Sequence, residues 1–191
     1  KKRESGILLA ISSLPGKYGI GDFGVEAYNF VDFLEKAGQK NWQILPLGIT
    51  GFGDSPYQSF SAFAGNPYFI DLDEFVKLGF LTEKDIESAD FTQTSRVDFG
   101  KLYIEKYRLL RKAYSNGAAK LMPRLESFYK ENSWWLREFA LFMAIKDTHD
   151  NKPWTEWDEE FLSFGSRDVL QYESGNKLSI FFWVFTQYFF L

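Results

Sequence analysis

Gly6-Ile7-Leu8-Leu9-Ala10-Ile11, then Val25-Glu26-Ala27-Tyr28-Asn29-Phe30-Val31-Asp32-Phe33-Leu34, then Trp42-Gln43-Ile44-Leu45-Pro46-Leu47: these runs decide the fold. The first is short and apolar, with charge before it and Ser12-Ser13-Leu14-Pro15 after it, the pattern of a strand buried on both faces. The second puts Ala27, Phe30, Val31 and Leu34 on one helical face, with Gly38 as the C-terminal stop. The third is a second short strand. Strand, helix and strand in this order predict a crossover unit with parallel strands, and so an α/β fold. In such units the loop after each strand lies at the carboxyl end of the sheet, where sites are built. The loops Ser12–Asp22 and Gly48–Ala64 should therefore converge on one mouth.

Beyond residue 70 the periodicity is helical. Asp71 or Asp73 is placed to cap a short helix ending at Gly79, and Thr82-Glu83-Lys84-Asp85 resembles a capping box with Asp in place of Glu. Phe99, Leu102, Tyr103, Leu109, Leu110, Ala113 and Tyr114 trace an amphipathic helix that Asn116-Gly117 should end. A further helix is predicted from Leu121 to Lys130, with Pro123 near its start. Ser133 is a candidate cap for the next, whose apolar face holds Trp135, Leu136, Phe139, Ala140, Met143 and Ala144. Residues 176–191 are aromatic nearly all round. They predict a helix buried on most faces and cut away from the partners that would cover it. With Thr186-Gln187 inside, this segment falls short of a membrane span.

Composition removes several classes of function. The net charge of -4 is spread along the 191 residues, so no basic stripe exists to bind nucleic acid. With no Cys and a single His there is no thiolate metal site, and His149 lacks the partners that zinc or a catalytic triad would need. A solvent-exposed His following a helix is the expectation. Gly19-Ile20-Gly21-Asp22-Phe23-Gly24 has dinucleotide-loop spacing, but the loop before it is long and Asp22 would face the pyrophosphate. The charged start and the short apolar run after it predict a cytoplasmic protein with no export signal. Phe, Tyr and Trp reach 19% of the chain, enough for a bulky core or for plates on which the apolar faces of sugars stack.

The two strand-end loops resemble the amylomaltase family, glycoside hydrolase family seventy-seven. The resemblance rests on Ser13-Leu14-Pro15-Gly16-Lys17-Tyr18-Gly19-Ile20-Gly21-Asp22, Trp42 to Gly48, and Gly53-Asp54-Ser55-Pro56-Tyr57-Gln58-Ser59-Phe60-Ser61-Ala62-Phe63-Ala64-Gly65-Asn66-Pro67. It continues through Arg96-Val97-Asp98-Phe99, Trp134-Trp135, Pro153-Trp154 and Phe185-Thr186-Gln187-Tyr188. It implies the N-terminal part of a (β/α)8 TIM barrel with an inserted, mainly helical subdomain. Residues 1–70 would be the first strands and loops, 71–175 the insertion and 176–191 the start of a truncated barrel helix. A closed barrel needs roughly 250 residues, so it is incomplete in this chain.

The activity implied is retaining transfer of alpha-1,4-glucan segments between maltodextrins, with maltooligosaccharides as partners and no cofactor or metal. The family's catalytic carboxylates lie in segments that this sequence lacks, so no catalytic residue is assigned and the chain alone is expected to be inactive. Ser55 and Tyr57 match positions that contact glucan in the family, with Asp54 and Gln58 beside them. Phe52 and Tyr103 align with a secondary glucan groove, Phe52 replacing a Tyr. Ala10 stands where many members carry His or Pro. The alternative is a non-catalytic glucan-binding or structural fragment.

Overall fold

A computed structural model describes residues 3–51, 53–91 and 95–191. The chain divides into two compact units, residues 1–117 with Phe190 and residues 118–189 with Leu191. In the first unit, β1 (Gly6–Leu8) and β2 (Asn41–Gln43) pair in parallel with Ile7 opposite Trp42, and α1 (Val25–Lys36) connects them. The predicted crossover unit is present, with strands shorter than the apolar runs. Leu9 N–H still donates to the Gln43 carbonyl, but Leu45 and Leu47 have left the ladder to line a cavity. The reading of β1 as buried on both faces is overturned: Ile7 is 40% and Leu8 60% exposed. The described sheet has two strands, so little covers its faces.

Two helices in this unit end as their glycines require. At Gly38 (φ 72°) the Gly38 and Gln39 N–H groups return to the carbonyls of Glu35 and Leu34, a Schellman closure. Gly79 (φ 74°) repeats it after α2 (Leu72–Lys77), with the Phe80 N–H on the Phe75 carbonyl. Asp71 caps α2, and the Thr82–Asp85 capping box opens α3 (Glu83–Glu87). In the loop before α1, Gly16 and Gly21 serve packing, since a Cβ there would lie 2.2 Å from the Ile20 carbonyl oxygen and 2.1 Å from that of Ile11. Asp22, the residue set against a pyrophosphate, is buried and accepts from the Gly24 N–H at 2.9 Å.

The predicted stop at Asn116-Gly117 does not occur: α4 runs unbroken from Phe99 to Glu131 and contains Pro123. Tertiary contacts outweigh local propensity here. Asn116 Nδ2 donates to the Phe80 carbonyl at 2.8 Å, and a Cβ on Gly117 would come within 2.6 Å of the Phe80 ring. The pair is chosen for packing against Phe80.

α4 also carries a residue that the apolar pattern hides. Lys106 is fully buried, and its ammonium donates to the Ile70 carbonyl at 2.6 Å. Asp22, Asp71 and Asp73 supply the opposing charge. Tyr18 donates to Asp73, Lys17 pairs with Asp73 at 2.7 Å, and the Lys106 ammonium lies 5.5 Å from the Tyr18 ring centroid. Burial lowers the Lys106 pKa to about 8 despite the three carboxylates, and burial raises that of Asp22.

The second unit packs the end of α4 with α5 (Ser133–Thr148), α6 (Arg167–Gly175) and α7 (Lys177–Phe190). Ile180 through Gln187 are all buried, so α7 is covered within this chain, contrary to expectation. The cover comes from Tyr129 against Phe181, Phe139 against Trp183, and Asp147, which accepts from Trp183 Nε1 at 2.9 Å. Arg137 grips Glu173 with two hydrogen bonds of 2.7 and 2.6 Å. His149 is not solvent-exposed as predicted. The left-handed pair Asp150 and Asn151 turns the chain back, so that Trp157 stacks on the imidazole at 5.1 Å and Phe161 meets it edge-on.

Replacing Lys106 by Met would orphan the Ile70 carbonyl and leave Asp22 buried without its counter-charge, an expected loss of about 3–5 kcal/mol in urea unfolding. The pH dependence has a definite sign. The folded pKa of about 8 lies below the ordinary 10.5, so between these values the unfolded chain holds more protons than the folded one. The stability difference, wild type minus Lys106→Met, should therefore grow as pH rises from about 8 toward 10.5. A difference that stays flat or shrinks across that window would show that the buried ammonium is not strained.

Candidate functional site

The segment after β2 leaves at Gly48 and returns at Asn66. Antiparallel bridges between Gly48 and Gly65 and between Thr50 and Ser59 close it, and the Asn66 N–H donates to the Leu47 carbonyl at 2.8 Å. Close approach of Ser59 demands glycine at position 48: a Cβ on Gly48 would sit 2.4 Å from Ser59 Oγ and 2.8 Å from Ser59 Cβ. Hydroxyls fix the remainder. Ser59 Oγ donates to the Ser61 carbonyl at 2.8 Å, while Ser61 Oγ accepts from the Phe63 and Ala64 N–H groups, both at 3.1 Å.

At the tip, Ser55 begins a turn in which its carbonyl accepts from the Gln58 N–H at 3.1 Å and its Oγ from the Tyr57 N–H at 3.3 Å. The Tyr57 ring is 73% exposed, and Gln58 is exposed beside it. Gly53 (φ 89°) and Asp54 (φ 54°) are consecutive left-handed residues, a conformation that glycine adopts freely and Asp tolerates better than most side chains. Their backbone turns Asp54 into the wall of a cavity of about 120 Å³, together with Pro56.

That cavity lies at the carboxyl ends of both strands. The loop after β1 contributes Ala10, Ile11 and Ser12; the segment after β2 contributes Leu45, Leu47 and Thr50; Asn66, Tyr68 and Phe99 complete the wall. The predicted convergence of the two strand-end loops is thus observed. Asn66 is buried and its side chain accepts from the Tyr68 backbone N–H at 3.0 Å, capping a short 3-10 turn that starts at Pro67. Burial raises the pKa of Asp54. Burial first, and then the Asp54 charge, raises that of Tyr68.

Of the residues singled out from sequence, Asp54, Ser55, Tyr57 and Gln58 share this loop, and only Asp54 faces the cavity. Tyr103 is 43% exposed on α4 and packs on Tyr107 with centroids 5.1 Å apart, Tyr107 in turn meeting Tyr68 at 6.0 Å. Phe52 lies outside the described residues. Sequence reasoning missed Thr50, Asn66, Tyr68 and Phe99. Asn66-Pro67 carried a usable signal, since Asn before Pro is a turn-and-cap pair. Among the described residues no group of three or more His, Cys, Asp or Glu is arranged to hold a metal ion, and no helix is long and apolar enough to cross a membrane.

Comparison with known proteins gives a consistent result. A family model described as 4-alpha-glucanotransferase matches residues 9–191. The 4-alpha-glucanotransferase of Streptococcus pneumoniae serotype 4 is 54% identical over 164 residues, covering 83% of this chain and 32% of that protein. That of Thermus thermophilus is 42% identical over 192 residues, covering 98% of this chain and 38% of that protein. The solved amylomaltase from Streptococcus agalactiae in complex with acarbose superposes with a TM-score of 0.92 at 44% identity, over 99% of this chain and 39% of that one. The chain spans about a third of the length of the curated relatives it matches.

The Gly48–Ser59 contact gives a direct test of how the loop is held. Gly48→Ala should destabilise the chain, and Ser59→Gly, which removes both clashing atoms, should recover most of that loss in the double variant. A coupling of about 1 kcal/mol or more is expected from chemical denaturation of the four chains. Additive losses would mean that the two strands of the loop are not in contact.

Proposed function

Because the chain belongs to the 4-alpha-glucanotransferase family, we propose that it supplies the N-terminal part of an enzyme that moves alpha-1,4-glucan segments between maltodextrins. The observation that supports this best is the family match across residues 9–191. On this reading β1 and β2 are the first strands of a (β/α)8 barrel, within residues 1–70. Residues 71–175 are its helical insertion, and 176–191 begin a barrel helix. Maltooligosaccharides are the partners, and the working compartment is the cytoplasm.

The chemistry is a retaining double displacement. One carboxylate attacks the anomeric carbon while an acid protonates the departing glucan oxygen. The covalent glucosyl-enzyme is then opened by the 4-hydroxyl of an acceptor sugar, whose proton the same acid residue, now a base, removes. Those carboxylates belong to later segments of the full polypeptide. This chain contributes binding: the Tyr57 ring is a plate for a pyranose face, Ser55 and Gln58 offer hydrogen bonds at its rim, and Asp54 lies beside them. The family resemblance assigns Phe52 and Tyr103 to a secondary glucan groove. A sugar distorted toward the transition state is held more tightly than in its ground state, so part of the plate's contribution appears in turnover.

In the full-length enzyme, Tyr57→Ala should lower kcat/KM for maltotriose about tenfold or more while the melting temperature stays near wild type. Tyr57→Phe should be milder because the ring remains. Unchanged kinetics in a well-folded Tyr57→Ala enzyme would remove the residue from the site. The 191-residue chain by itself should not convert maltotriose into glucose and longer maltodextrins; product above a blank with purified chain would show that it holds its own catalytic carboxylates.

A further inference from the structure

The second unit presents large rings to solvent that its own core does not use. Trp134, near the start of α5, is 66% exposed, while its neighbour Trp135 is buried and meets it edge-on at 6.5 Å. Phe164, in the turn that leads into α6, is 55% exposed, and the Arg137 guanidinium lies 5.8 Å from its ring centroid. Trp134 and Arg137 stand three residues apart on α5 and so share a face. A single exposed ring is ordinary on a protein surface; two that meet around one guanidinium form a patch that calls for an occupant.

The polar centre of the patch is held in place. Glu173 on α6 accepts from Arg137 Nε at 2.7 Å and from one terminal nitrogen at 2.6 Å, which leaves the other terminal nitrogen as a donor and the outer lone pairs of the carboxylate as acceptors. Both side chains keep access to solvent. Burial and the Glu173 charge raise the pKa of the Tyr129 hydroxyl on α4, so a protonated donor belongs to the same group.

This centre selects the chemistry of the occupant. An apolar protein surface laid over the rings would strip water from a paired guanidinium and carboxylate and return no hydrogen bonds. A sugar hydroxyl both donates and accepts, so a row of hydroxyls replaces that water at Arg137 and Glu173 together, while the C–H face of the ring covers Trp134. We infer that Trp134, Phe164 and the Arg137–Glu173 pair form an accessory surface site that holds a polymeric alpha-glucan, apart from the strand-end loop and from the reacting sugars. The identity of the sugar polymer rests on the proposed transferase function; the patch and its donor–acceptor centre do not.

The test is native electrophoresis of the 191-residue chain through gels with and without amylopectin. Amylopectin should retard the chain. Trp134→Ala should weaken that retardation about fivefold, including in a Tyr57→Ala background where the loop plate no longer contributes. Trp134→Phe keeps a ring and should recover at least half of the loss. In the full-length enzyme Trp134→Ala should raise KM for amylose several-fold and leave kcat/KM for maltotriose at the wild-type value, a split opposite to that of Tyr57→Ala. Equal retardation with and without Trp134 in the Tyr57→Ala background would overturn the site and leave the transferase reading untouched. Equal losses in the Ala and Phe variants would overturn the role of the ring as a plate. A change in molar mass by light scattering with retardation unchanged would make the patch a protein interface and overturn the proposal. Absence of maltotriose turnover by the full-length enzyme would instead remove the transferase reading, while a Trp134-dependent retardation would still support the surface site.

Discussion

A lysine ammonium sealed from water must be surrounded by opposite charge and hydrogen-bond acceptors, and at Lys106 that requirement fixes much of the first unit. Its neighbours come from different parts of the chain: Asp22 from the loop after β1, Asp71 and Asp73 from the start of α2, and the Ile70 carbonyl just before that helix. None of these segments can shift without leaving a buried charge uncompensated. α4 is thereby held to the segment carrying Tyr68 and Phe69, and Phe99, Tyr103 and Tyr107 on α4 are held to that segment with it. Because a hydrophobic contact tolerates sliding and an ion cage does not, the cavity wall inherits a rigidity that its own rings would not supply.

The loop after β2 is rigid for a different reason. It has little core of its own, with Tyr57, Phe60 and Phe63 all substantially exposed, and relies on bridges and serine hydroxyls instead. Short polar contacts of this kind define a backbone path without burying the side chains that the path presents. A segment meant to offer rings to a ligand needs this construction, since burying the rings for stability would remove them from use.

Much of this was legible in the sequence because it follows local rules. The β1–α1–β2 unit came from periodicity, Gly38 and Gly79 from the need for left-handed residues after helices, and the α3 cap from side-chain chemistry at fixed spacing. What was not legible depends on residues distant in the chain. Asn116-Gly117 reads as a helix stop until Phe80 is placed against it, and Lys106 reads as a solvated position on an amphipathic helix until three distant aspartates surround it. His149 looked exposed because the turn at Asp150 and Asn151 gives no apolar signal. At the candidate site the convergence of the two strand-end loops followed from their place after parallel strands, whereas the position of Asp54 on the cavity wall is a backbone property that composition does not encode.

The Asn116-Gly117 pair carries a consequence for the chemical lifetime of the chain. In a flexible peptide this dipeptide is prone to deamidation, because the glycine nitrogen meets little steric hindrance in attacking the asparagine side chain to form a cyclic imide. In α4 both reactants are engaged: the backbone is held in a helical geometry that keeps the nitrogen away, and the side-chain amide is bound to the Phe80 carbonyl. The contact that carries the helix past a sequence stop also protects it from ageing. A chain whose α4 had opened would accumulate aspartate or isoaspartate at that position, and the new carboxylate would face a carbonyl oxygen where a donor had been. The damage would then oppose reclosure, so a transient opening would become a permanent one.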